Sequence, residues 1–114
     1  MCDKPTLHKI TQEVSKKAQE ILGDRLREVI LYGSYARGDN NENSDIDIMI
    51  LADIKEDEVW GIESQLTETT SALALEYDEL ICAYVNVKSL FEERLAVLPF
   101  YRNVRKDGVQ IYAA

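Results

Sequence analysis

The chain has 114 residues, 46% of them hydrophobic, with 13 basic and 21 acidic side chains and a net charge of -8. That length suits one domain, 1–114, able to bury enough surface to fold alone, and no apolar run approaches the ~20 residues that a bilayer span needs. The acidic balance excludes long nucleic acid as a natural partner, because a phosphate backbone is repelled unless basic groups gather on one face.

The start, Met1-Cys2-Asp3-Lys4-Pro5, lacks the basic cap and apolar stretch of a signal peptide, so a soluble, cytoplasmic protein with no membrane contact is expected. The two cysteines, Cys2 and Cys82, are too few for a disulfide scaffold, and no Cys or His cluster has zinc spacing. Cys82, in an apolar stretch, reads as a small core residue.

Along the chain, Leu7, Ile10, Val14, Ala18 and Ile21 fall at steps of three or four and predict an amphipathic helix over 6–22, with Gly23 at its left-handed end. Residues 27–32 read as a short buried strand between turn signals at Asp24 and Gly33. Residues 38–44 hold no apolar side chain and form an exposed loop. Residues 46–51 are apolar enough for a central strand, apart from Asp47. A second amphipathic helix is expected from Glu56 to about Leu75, weakened by Gly61, and a third strand over 80–87. Ser89 with Glu92 reads as a capping box opening a helix that Pro99 interrupts. The end, 109–112, is either an edge strand or a tail awaiting a partner.

The chemistry concentrates between Leu31 and Ile50. A strand that ends in Gly33-Ser34 and enters a helical turn offers backbone N–H groups where an anion is favoured, and Ser34 adds a hydroxyl donor. Gly33 has no Cβ, so a phosphate can approach the main chain, and Gly38 releases the turn through a positive φ. Asp45 and Asp47 are two apart, so their carboxylates leave one face of a strand that begins at or just before Asp45. Burying such a pair is costly unless a cation compensates, and hard oxygen ligands suit Mg²⁺ or Mn²⁺. A phosphate cradle, a polar loop and paired carboxylates describe metal-assisted transfer from a nucleoside triphosphate.

Gly33-Ser34, then ten residues, then Asp45-Ile46-Asp47 resembles the signature of the DNA polymerase beta-like nucleotidyltransferases. The fuller form, Gly33-Ser34-Tyr35-Ala36-Arg37-Gly38 with Ser44-Asp45-Ile46-Asp47-Ile48, is most similar to the minimal nucleotidyltransferases, often antitoxins paired with HEPN ribonuclease toxins. The resemblance implies an α/β (α+β) fold, a small mixed sheet flanked by helices as in the polymerase beta palm. It also implies Mg²⁺ or Mn²⁺ on Asp45 and Asp47, with ATP as nucleotide, and a third carboxylate on a neighbouring strand. Asp78 is the choice for that third ligand, at the expected start of the third strand, with Glu76 and Glu79 as alternatives.

Each residue also has a plainer reading. Gly33-Ser34 by itself is an ordinary turn with a helix cap, whereas Asp47 inside an apolar strand is poorly explained as structure. Arg37 either steers triphosphate or forms a surface ion pair. His8 lies away from the motif, Trp60, Tyr77, Tyr84, Phe100 and Tyr101 read as core or partner-facing aromatics, and the acidic excess over 55–68 is a solvated helix face. The resemblance, joined to a chain too short to enclose a second substrate, implies AMP transfer from ATP to a hydroxyl of a partner protein, a HEPN-type toxin, as the leading function. The alternatives are a degenerate binding module that occludes its partner and an aminoglycoside-type small-molecule transferase. A homo-oligomer fits either.

Overall fold

The computed structural model describes residues 2–114. Helix α1 (Lys4–Leu22) begins where the Asp3 carboxylate accepts the Thr6 N–H at 2.9 Å, with a proline in its first turn. It ends at Gly23, whose φ of 56° and ψ of -127° only glycine adopts readily. Strand β1 (Leu26–Tyr32) leads into a single turn, α2 (Ser34–Arg37), and after the polar loop comes β2 (Ile46–Ala52). Helix α3 (Val59–Tyr77) crosses back to β3 (Ile81–Val87), followed by α4 (Lys88–Leu95), α5 (Pro99–Asp107) and β4 (Val109–Ala113).

The sheet order is β3-β2-β1-β4. β1 runs antiparallel to both β2 and β4, while β2 and β3 are parallel and joined through α3. Alternation sends Val29, Leu31, Ile46, Ile48 and Ile50 to one face, where Ile10 and Val14 of α1 and Ile62 and Leu66 of α3 cover them. Ile30, Tyr32, Met49 and Leu51 face the other way and meet Phe91 of α4 and Val104 of α5. Because both faces are covered, the central strands read as continuous apolar runs. The result is the expected mixed α/β architecture, and no helix among the described residues is long and apolar enough to cross a membrane.

Two expectations change and one left open is resolved. The Ser89 and Glu92 capping box does not form: β3 pairs with β2 up to Val87 opposite Ala52, and α4 starts at once on Lys88 with no side-chain cap. Pro99 does more than interrupt a helix. It opens α5, where its missing N–H would have had no intrahelical partner. The C-terminal segment is an edge strand on β1. Gly108 makes that turn possible, since a Cβ there would collide with the Val104 carbonyl and with Ile30.

Candidate active site

The site lies where β1 and β2 meet the turn behind Gly33. Gly33 has φ 76° and ψ -157°, a left-handed conformation closed to other residues without strain. Its carbonyl accepts the N–H groups of Ala36 and Arg37, both at 3.1 Å, and Gly38 closes the turn in the left-handed region. The N–H groups of the first turn, at Ser34 and Tyr35, have no intrahelical acceptor and point out of the open end. Tyr35 anchors the turn, being buried in the core and accepting the Cys2 N–H on its hydroxyl at 3.2 Å.

Strand register builds the rest. Tyr32 on β1 is opposite Asp47 on β2, and Asp47 is opposite Cys82 on β3, so these three side chains leave the same face in one row. Asp45 sits just ahead of β2. One ligand atom from each of Asp45, Asp47 and Cys82 lies within 4.8 Å of the others. A Cβ on Gly33 would come 2.5 Å from Asp47 Oδ2. The absence of a Cβ at Gly33 therefore leaves room for the Asp47 carboxylate beside the turn.

The electrostatics favour a positive guest. Burial, and then Asp45, push the Asp47 carboxyl above the usual carboxylate range, while Arg37 opposes them. Burial raises the Cys82 thiol, aided by Asp45 and then Asp47 and opposed by a hydrogen bond with Tyr84. Tyr32 is pushed far up, by burial first and then by Asp47. Arg37 pairs with Asp39 at 3.2 Å in the solvent and also lines a cavity of about 230 Å³ with Gly33 and Asp47. Being exposed, it compensates the acidic pair only weakly. Two half-buried carboxylates side by side, with Asp47 held protonated more readily by burial and by Asp45, are a donor set suited to a hard divalent cation.

Asp78 is not where the sequence placed it. Helix α3 runs on to Tyr77, and Asp78 closes it in the left-handed conformation, φ 53° and ψ 48°, with its N–H donated to the Ala74 carbonyl. It is exposed and three residues short of β3. Among the alternatives, Glu76 lines a groove with His8 between α1 and α3, and Glu79 lies close enough to Cys2 to raise its thiol. None of the three joins the Asp45 and Asp47 group. The position on β3 that faces Asp47 is Cys82, which is half-buried beside the carboxylates and not a core residue. Sequence reasoning also missed Tyr32. Its place one residue before Gly33, opposite Asp47, was the available signal.

A cavity of about 630 Å³ opens beside Asp47, with Tyr32, Met49, Tyr84, Phe100 and Tyr101 among its walls. Phe100 meets Tyr32 edge-on at 5.9 Å, and Tyr101 meets Phe91 likewise at 5.3 Å. Trp60, by contrast, is 79% exposed on the first turn of α3.

The sequence profile of the nucleotidyltransferase domain matches residues 8–111. The chain belongs to the nucleotidyltransferase domain family. Two Methanocaldococcus jannaschii relatives, each bearing the name putative protein adenylyltransferase, are 39% identical over 88 residues and 40% identical over 81 residues. These matches span 77% and 71% of this chain, and 80% of each relative. Among solved structures, a putative nucleotidyltransferase from Sulfolobus solfataricus superposes with a TM-score of 0.60 at 24% identity, covering 94% of this chain and 80% of that one. A toxin–antitoxin structure with AMP-PNP gives 0.51 at 22% identity, covering 89% and 72%. A structure of tri-AMPylated Shewanella oneidensis HEPN toxin in complex with MNT antitoxin gives 0.51 at 18%, covering 95% and 73%. At these identities the shared property is the fold. This nucleotidyltransferase carries a Gly-Ser turn and a pair of neighbouring aspartates on the elements just described.

Proposed function

We propose that this nucleotidyltransferase transfers AMP from ATP to a hydroxyl on a partner protein, a HEPN-type toxin, with a divalent cation, Mg²⁺ or Mn²⁺, held by Asp45 and Asp47. The observation that carries the reading is the pairing of those carboxylates, their ligand atoms within 4.8 Å of each other, with Asp47 lining an open cavity and set against the Gly33 turn. The names of the Methanocaldococcus jannaschii relatives support a protein acceptor, and the fold neighbours in toxin–antitoxin complexes support the partner class.

Each residue has a defined task. The N–H groups behind Gly33 and the Ser34 hydroxyl face the triphosphate as donors at a helix N-terminus. Arg37, exposed and lining the smaller cavity with Gly33 and Asp47, adds positive charge where the phosphates enter. Asp45 and Asp47 orient the cation, which when bound polarises the phosphate under attack and offsets the charge of departing pyrophosphate. The acceptor oxygen forms a bond to the α-phosphorus as the bond to pyrophosphate breaks, and the acceptor hydroxyl gives up its proton to solvent. Tyr32, Tyr84 and Phe100 wall the approach with aromatic surface, and a docked partner supplies the acceptor and excludes water. The net charge of -8 favours association with a basic, RNA-cleaving partner.

A second reading, occlusion of the partner without catalysis, draws on one observation: among the described residues no third carboxylate joins the Asp45 and Asp47 group. Pyrophosphate release from ATP separates the readings. It should rise when a HEPN-type toxin is added and stay flat with an aminoglycoside. No release with either acceptor would favour occlusion, and release with the aminoglycoside alone would favour a small-molecule transferase.

A further inference from the structure

We propose that Cys82 supplies the third protein ligand of the cation site, making it a mixed carboxylate and thiolate centre that ranks thiophilic divalent cations above Mg²⁺. The inference rests on the reading of Asp45 and Asp47 as cation ligands and adds the identity of the third donor. Cys82 is directly opposite Asp47 in the parallel pairing of β2 and β3, so its Sγ leaves the sheet on the same face as that carboxylate. Its Sγ and one oxygen from each aspartate lie within 4.8 Å of one another, a span that one cation can bridge. Among the described residues this is the one such cluster of His, Cys, Asp and Glu groups. The three acidic residues near the end of α3 are all directed elsewhere.

The chemistry follows from the donor set. Two carboxylate oxygens accept almost any divalent cation, but a sulfur ligand adds affinity mainly for borderline and soft ions such as Zn²⁺ and Cd²⁺, and little for Mg²⁺. Coordination takes Cys82 as thiolate and releases its proton to solvent. The second cysteine, Cys2, sits at the start of the chain against Tyr35 and does not join the group.

The test is titration of the full chain, in a Cys2→Ser background, with Cd²⁺ and separately with Mg²⁺, followed by calorimetry and by the ultraviolet thiolate-to-metal charge-transfer band. Cd²⁺ should bind more tightly than Mg²⁺ and produce the band. Cys82→Ser should abolish the band and weaken Cd²⁺ by roughly 10- to 100-fold or more, since even outer-shell partners of a metal are worth that much. Mg²⁺ affinity should change little. Cys82→Asp should also lose the band but bind Mg²⁺ more tightly than the parent. Circular dichroism and thermal melting confirm that each variant is folded. A parent protein that binds both cations with no band, or a Cd²⁺ affinity unchanged in Cys82→Ser, overturns the role of Cys82 while leaving the aspartate pair intact. If neither cation binds the parent protein, the aspartate reading beneath it fails as well.

Discussion

Asp47→Asn isolates what the acidic pair does to the fold. The substitution keeps the shape that fills the space beside Gly33 and removes one negative charge from a group whose ligand atoms lie within 4.8 Å. Two unit charges at that distance repel by about 0.9 kcal/mol in water and by about 3.5 kcal/mol at an effective dielectric of about 20. Both carboxylates are half-buried and salt screens the exposed part, so relief of about 1–2 kcal/mol is expected, a rise in Tm of roughly 4–8 °C for a chain of this size. The assay is thermal melting in chelator across a pH series. Because Asp47 is held above the usual carboxylate range in the folded protein, the folded state binds that proton more tightly than the unfolded chain does. The advantage of Asp47→Asn is thus full above the raised folded value. It shrinks as pH falls through that value and is gone below the ordinary carboxylate range. Adding divalent cation should reverse the order, since only the wild type gains binding energy. An Asn variant no more stable than wild type in chelator at neutral pH, or an advantage that grows in acid, would refute the reasoning.

Gly33→Ala should lower stability by about 1–3 kcal/mol through its left-handed backbone, and its Cβ should displace the Asp47 carboxylate, so melting and cation affinity fall together. Were the Asp47 carboxylate undisturbed by that Cβ, melting would fall while cation affinity stayed unchanged. Asp78→Asn should leave cation affinity and AMP transfer at wild-type levels, while Asp78→Gly, relieved of the left-handed cap, should gain up to about 1 kcal/mol in denaturant unfolding. Loss of transfer in Asp78→Asn would restore that residue to the site. Glu63 on α3 accepts the Val85 N–H of edge strand β3 at 2.8 Å, so Glu63→Ala should cost about 1–3 kcal/mol by leaving a buried donor unpaired, and an unchanged unfolding midpoint would contradict this.

The half of the site on β1 and β2 was legible because its signals are local. Val29 to Leu31 and Ile46 to Leu51 are apolar runs bounded by turn residues, and the two-residue spacing of Asp45 and Asp47 fixes a shared face once β2 is a strand. The half on β3 was not, because its register depends on where α3 stops. That helix ends on Asp78 in a left-handed conformation that sequence habit reserves for glycine or asparagine, so nothing marked the boundary and Asp78 read as strand. Identifying Cys82 required the pairing of Ile46 with Ile81, a long-range fact. Helix α5 was hidden for a different reason. Pro99 reads as a breaker when it is an opener, and Val104 alone of its residues is buried, so Arg102, Asn103, Arg105 and Lys106 leave little apolar periodicity to see. The fate of 109–112 depended on β1 having a free edge, which no local pattern states.

The measurement that bears most directly on AMP transfer is the intact mass of a HEPN-type toxin partner after incubation with this protein, ATP and a divalent cation. The wild type should add one or more AMP groups to it, and a variant carrying both Asp45→Asn and Asp47→Asn should add none while still melting cooperatively. An unmodified partner in the wild-type reaction, or equal modification by the double variant, would contradict AMP transfer at the Asp45 and Asp47 site.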